Sequence, residues 1–130
     1  MTSEAILHEL PGGEALSKWF GHVPHFHDAN LLEVKLSSQE QSVLRVHTWE
    51  ITDKTDARGY FVLDRHVVVT ITLNDVTNVA LDDFNLPGII HFMKITKVDD
   101  TYQFAWGASY GVRGAIRAKH ASFALAPGKP

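Results

Sequence analysis

The feature that most constrains this chain is a run of strict alternation near its middle. Val67, Val69, Ile71 and Leu73 are separated by His66, Val68, Thr70 and Thr72, which puts the first set on one face of an extended strand. Val, Ile and Thr crowd this run, and β-branched side chains favour a pleated surface over a helix. Leu32, Val34 and Leu36 alternate with Glu33 and Lys35 in the same way, so residues 31–36 read as a half-buried strand. Residues 43–51 form a strand that can pair with it as a hairpin across a turn at 37–41. Residues 89–98, 101–108 and 114–125 add three β-like segments. Asp99-Asp100 turns the first into the second, and Tyr110-Gly111-Val112-Arg113-Gly114 turns the second into the third. Short links between successive strands imply an antiparallel meander.

The intervening pieces are shorter. The polar run 52–59 reads as an exposed loop, and Tyr60-Phe61-Val62-Leu63 as a short apolar piece. Asn74-Asp75 can end the central strand, leaving 76–81 as another short one before a loop at 82–88. Near the N-terminus, Pro11-Gly12-Gly13 separates a loose strand or tail from a helical pattern. There Ala15, Leu16, Trp19 and Phe20 share a face and Gly21 supplies the stop. Pro24 keeps residues 21–28 out of any continuing helix. The expected fold is α+β and predominantly antiparallel β. It would be one twisted sheet, or a small sandwich or half-barrel, with a short N-terminal helix packed on it. One domain is expected over 1–130, with 1–12 and 126–130 as flexible or edge segments.

Composition narrows the function classes. At 130 residues, with 45% hydrophobic and 21% charged, the chain can bury a real core. It has no cysteine, which removes disulfides, thiolate metal sites and cysteine nucleophiles together and suits a reducing compartment. A net charge of −3 offers no basic face for nucleic acid. No stretch has the length of a membrane span, and no basic stretch followed by an apolar run opens the chain, so a soluble cytoplasmic protein is expected.

Residues 19–29, Trp-Phe-Gly-His-Val-Pro-His-Phe-His-Asp-Ala, are too rich in special residues for an ordinary turn. His25 and His27 would project to one side of an extended backbone. With Asp28, and with His47 or His120 arriving from other strands, they are the candidate metal ligands. Their spacing matches neither H-x3-5-H nor H-E-x-x-H, so the more economical reading makes Asp28 a loop brace that accepts backbone N–H groups. His27 would then donate to a backbone carbonyl. A hydrolytic alternative uses His27 as general base toward Ser109 or Tyr110, although no nucleophile-elbow motif is present. Trp19, Phe20 and Phe26 read as core, as do Trp49 and Trp106 on strands. Tyr110 and Arg113 are the candidate interface anchors, because Tyr and Arg are enriched at binding hot spots.

Trp19-Phe20-Gly21, then Pro24, then Phe26-His27-Asp28-Ala29, resembles the N-terminal signature of the immunity protein 50 family. The segment's place before an aliphatic strand resembles that family too. A fainter likeness covers Gly111-Val112-Arg113-Gly114-Ala115-Ile116-Arg117-Ala118. Val23 and Asn30 depart from the pattern, where an aromatic and an acidic residue are common. The resemblance implies a short bacterial protein that neutralises a polymorphic toxin by direct binding, without catalysis or cofactor. Trp19, Phe20, Gly21, Pro24, Phe26, His27 and Asp28 would serve as motif and brace. The rival expectation is a metal-dependent or His/Asp hydrolase-like enzyme centred on His25, His27 and Asp28. A third is homodimerisation through an exposed sheet edge.

Overall fold

The computed structural model describes residues 2–130. Two short helices, α1 (Ser3–Glu9) and α2 (Gly13–Phe20), precede six strands. These are β1 (Asn30–Lys35), β2 (Ser42–Thr55), β3 (Phe61–Asp82), β4 (Gly88–Val98), β5 (Thr101–Tyr110) and β6 (Arg113–Pro127). Every strand pairing is antiparallel, and the order β1-β2-β3-β6-β5-β4 closes into a barrel. The α+β, mostly antiparallel expectation therefore holds. The sheet closes on itself instead of stopping at a half-barrel or splitting into a sandwich. Alternation fills the interior: Leu44 and Val46 from β2, Val67, Val69, Ile71 and Leu73 from β3, and Phe104 and Ile116 from β5 and β6 are all buried.

Closure is thin at one seam. β1 meets β4 through only two register pairs, Asn30↔Ile89 and Leu31↔Gly88. Below them the pre-β1 segment takes over the ladder. Asp28 N–H donates to the Ile90 carbonyl at 2.8 Å, Ile90 N–H to Ala29 at 2.9 Å, and Met93 N–H to His25 at 2.8 Å. β5 and β6 also part, since their pairing ends at Tyr102↔Ala118 while β6 continues to Pro127. The link between the helices lies along that vacated edge, where Phe123 N–H donates to the Pro11 carbonyl at 2.9 Å.

The helices occupy the positions expected for a loose tail and one helix. Thr2 caps α1, its hydroxyl accepting from Ala5 N–H at 3.1 Å. Ile6, Leu7 and Leu10, together with Leu16 of α2, are buried in the core cluster. The N-terminal residues are thus a plug, because this barrel exposes apolar surface wherever its strands separate. Glycines 12 and 13 make the approach possible. A Cβ at Gly12 (φ 79°) would overlap the Phe123 carbonyl, and one at Gly13 would overlap the Leu7 carbonyl.

A second difference is the length of β3. Residues 61–63 of the short apolar piece, 67–73 and 76–81 lie in one strand of 22 residues, Phe61–Asp82. Asn74-Asp75 does not turn the chain. Asp75 takes φ 56° next to a register shift between Val76 and Asn78, a bulge that lets β3 stay on β6. β2 likewise runs on to Thr55 through part of the supposed loop. At the C-terminus, Pro127 and Ala126 pair with Val67 and Val68, so the edge segment expected after 125 begins as strand. Among the described residues no helix is long and apolar enough to cross a membrane.

The plug makes a direct prediction. Ile6→Ala should lower unfolding free energy by about 2–4 kcal/mol, as for a buried aliphatic truncation, read by chemical denaturation. Deleting residues 1–10 should abolish the cooperative transition. A truncated chain that melts like the parent would show the helices to be dispensable.

Candidate functional site

The motif segment joins α2 to β1 and splits its residues between two environments. Pro24, Phe26 and Ala29 are buried, while His22, His25, His27 and Asp28 are exposed. Phe26 reaches the core cluster and meets Phe20 edge-on at 6.1 Å between ring centroids. Trp19 and Phe20 are half-buried against that cluster and not fully inside it, and Trp49 is half-buried as well. Trp106 is core, its indole N–H donating to the Val112 carbonyl at 2.9 Å.

The backbone here is not extended. Phe26 and Asp28 have φ 56° and 62°, and Ala29 N–H closes a turn onto the Phe26 carbonyl at 3.0 Å. The assumption that put both histidine rings on one side therefore fails. His25 stacks on Phe92 at 4.3 Å, and His27 turns toward His91. His27 Nδ1 lies 2.7 Å from the His91 carbonyl; a carbonyl only accepts, so Nδ1 carries the proton. Nε2 faces the Asp28 carboxylate at 3.4 Å. The expected donation from His27 to a backbone carbonyl is present. Asp28 acts differently from expectation: among the described residues it accepts no backbone N–H, and it holds a left-handed conformation that Asp tolerates better than most residues. Among the described residues no three His, Asp or Glu side chains gather as a metal-ligand set. Ser109 and Tyr110 lie at the exposed end of β5, and His27 makes no hydrogen bond to either.

A shallow cleft of about 270 Å3 lies between this segment and β2, walled by Phe20, His25 and His27 on one side and by Thr48, Trp49 and Glu50 on the other. Arg65 anchors its edge. Its guanidinium lies 4.3 Å above the Trp19 ring, donates to the Trp19 carbonyl at 2.7 Å, and faces Glu50 at 3.7 Å. The residue has φ 51° at a point where the β2–β3 register shifts. The strand is thereby kinked and tied to the C-terminal end of α2.

Beyond Arg65 the ends of β2 and β3 leave the barrel as a two-stranded arm, with Glu50↔Asp64, Ile51↔Leu63 and Thr55↔Phe61 paired. Asp56 shapes its tip, its carboxylate accepting from Arg58 N–H at 2.8 Å and Tyr60 N–H at 3.1 Å. Ile51 (65% exposed), Phe61 (61%) and Leu63 (42%) lie on one face by strand alternation, with Tyr60 at 68% beside them. The sequence reading missed this surface, although Tyr60-Phe61-Val62-Leu63 next to a polar loop was its visible signal. Tyr110, the expected anchor, is also exposed at 64%. Arg113 instead pairs with Asp82 at 2.8 Å across the β3–β6 ladder.

At the root of the arm, His47 Nε2 and His66 Nδ1 are 3.0 Å apart in a stacked pair, with the Trp49 ring 5.0 Å from His47. The C-terminal tail closes over them, Gly128 N–H donating to the His66 carbonyl at 2.7 Å. Burial, then the neighbouring His66, then Lys129, holds the His47 pKa below the ordinary histidine value.

No family model matches the chain, and no curated protein or solved structure matches it either.

Two measurements follow from this geometry. The unfolded chain binds a proton at His47 below about pH 6.5, whereas the folded chain resists it. Stability should therefore be fully present above that pH and fall as pH drops through the lowered folded value. His47→Gln should flatten this part of the profile; an unchanged slope in denaturation midpoints between pH 7.5 and 5 would assign it elsewhere. In the motif, His27→Ala should cost about 0.5–1.5 kcal/mol and Phe26→Ala about 3–5 kcal/mol in unfolding free energy. Equal small losses at both positions would contradict the brace.

Proposed function

We propose that this chain is a binding protein of immunity type, which neutralises a bacterial toxin domain by covering it. The observation that carries the reading is the arm. Four large apolar side chains, Ile51, Tyr60, Phe61 and Leu63, project from the barrel and remain 42–68% exposed. A lone exposed apolar residue is ordinary, but a contiguous apolar strip characterises contact surfaces. Aromatic anchors flanked by charged neighbours, here Lys54, Arg58 and Asp64, fit the pattern of an apolar interface centre with a polar rim. The toxin assignment is supported by the resemblance of residues 19–29 to the immunity protein 50 signature.

In this reading the motif and the contact surface are different parts of the molecule. The motif closes the barrel and, through Trp19 and Arg65, sets the direction of the arm. The arm supplies the affinity.

The test starts from the gene beside this chain's own: if it encodes a large secreted protein, its C-terminal domain is co-expressed with the chain, and a neighbour of any other kind counts against the reading. The parent chain should restore growth. Phe61→Asp with Leu63→Asp should abolish rescue and weaken binding at least about 30-fold, the scale of losing a hot spot of 2 kcal/mol, with an unchanged melting temperature. Rescue that survives these changes but fails with Tyr110→Ala would move the contact to the opposite turn. Absence of rescue by the parent would refute the toxin assignment.

A further inference from the structure

His47 and His66 meet on the outer face of the β2–β3 ladder, at the rim where the two strands leave the barrel as the arm. His47 is opposite Val68, so His66 is its diagonal neighbour on that face. The ring planes are 22° apart, the centroids 5.2 Å apart and the facing nitrogens 3.0 Å apart. What remains of the centroid distance is no more than the two ring radii. His47 Nε2 and His66 Nδ1 therefore lie close to the line between the rings and share one proton, one nitrogen donating and the other accepting. His47 is 9% exposed and His66 half-buried, and the Trp49 ring packs beside both. His8, His27 and His120 each face a carboxylate; among the described residues neither His47 nor His66 does. The charged groups on the surrounding elements are Arg45 with Glu33, Arg65 with Glu50, Asp64, and Lys129 of the tail. The first four neutralise one another in pairs, and Lys129 adds positive charge near His47. Asn30, opposite His47 on β1, is uncharged.

We infer that the His47–His66 pair is a proton-operated pin, which holds the root of the arm and the C-terminal tail closed until it takes up a second proton. Proton counting gives the reason. In the uncharged pair one ring donates through its facing nitrogen and keeps its other nitrogen free. A first proton binds that free nitrogen, and the resulting imidazolium still donates to its neighbour in a stronger, charge-assisted bond. A second proton has only the accepting nitrogen left to bind. Both facing nitrogens then carry hydrogen, the bond is lost, and two like charges sit at short range with no carboxylate beside them. His66 is the ring that can leave. It is the less buried of the two and follows Arg65, where φ is 51° and the β2–β3 register shifts. Its carbonyl accepts from Gly128 N–H at 2.7 Å, so its displacement unfastens residues 128–130. It also loosens the first pair of the arm, Glu50↔Asp64, just beyond it. The pin is a property of the free chain and holds whatever the arm binds.

The experiment is NMR of the unmodified chain between about pH 7.5 and about pH 5. Imidazole nitrogen shifts should show the two rings titrating as a coupled pair in two steps, the second below the ordinary histidine value of about 6.5. With that second step the Gly128 amide should lose at least about tenfold of its hydrogen-exchange protection, the equivalent of one pH unit of resisted protonation. Amides of the barrel interior at Val69 and Ile71 should stay protected. His66→Gln keeps a hydrogen-bonding tip that cannot be charged, and should hold Gly128 protected across the range. His47→Gln should act in the same way. His120→Gln, at an exposed ring that faces Asp75, should respond like the parent. Independent single-step titration of the two rings overturns the inference, and so does a parent Gly128 that stays protected throughout. Loss at Gly128 that persists in both His47→Gln and His66→Gln, that disappears in His120→Gln, or that comes only together with Val69 and Ile71 overturns it too. None of these readouts involves a toxin, so failure of the pin and failure of the proposed function are distinguishable.

Discussion

Everything in this molecule depends on how the barrel is shut. Two register pairs between β1 and β4 are too few to hold a sheet edge, and an unclosed edge would expose both backbone groups and interior side chains. Residues 25–29 finish the closure with three backbone hydrogen bonds to β4, and the His27 ring adds a fourth contact at the His91 carbonyl. Phe26, between them, is driven into the core. The unusual composition of the segment follows from this task. It must turn sharply, bond along a strand and bury a large ring within a few residues.

The second opening, where β5 leaves β6, is closed by a different means. There the helices supply apolar side chains, the 10–12 link lies against β6, and Glu9 fastens the end of α1 by accepting from the Tyr102 hydroxyl at 3.0 Å. Residues 25–29 and the plug are joined through α2, whose C-terminal carbonyl at Trp19 receives the Arg65 guanidinium. The projecting arm is thereby coupled to the closure of the barrel. This coupling places the motif segment beside the exposed apolar strip of the arm.

Within the candidate site, the residues were legible and their arrangement was not. His27 bonding to a carbonyl and Phe26 in the core could be read from residue type and position, because each has few ways of being satisfied. The positive φ angles at Phe26 and Asp28 could not, and they decide that His25 and His27 diverge onto Phe92 and His91. The His47–His66 pair was equally hidden. The two are 19 positions apart and meet because His47 pairs with Val68, which makes His66 its diagonal neighbour on the same face of the ladder.

The sequence by itself determined the strands that alternate, their antiparallel pairing, the helix ending at Gly21 and the barrel-facing residues from Val67 to Leu73. Those features rest on local periodicity and on short connections, which a linear pattern records directly. The fold alone decided that residues 2–12 form a plug, that Asn74-Asp75 lies inside one long strand just before a bulge at 76–78, and that the sheet closes. It also decided that Ile51, Phe61 and Leu63 remain outside. In each case the local pattern allowed either outcome. The choice was made by how many neighbours a strand finds around the barrel, and β2 and β3 extend past the last of them.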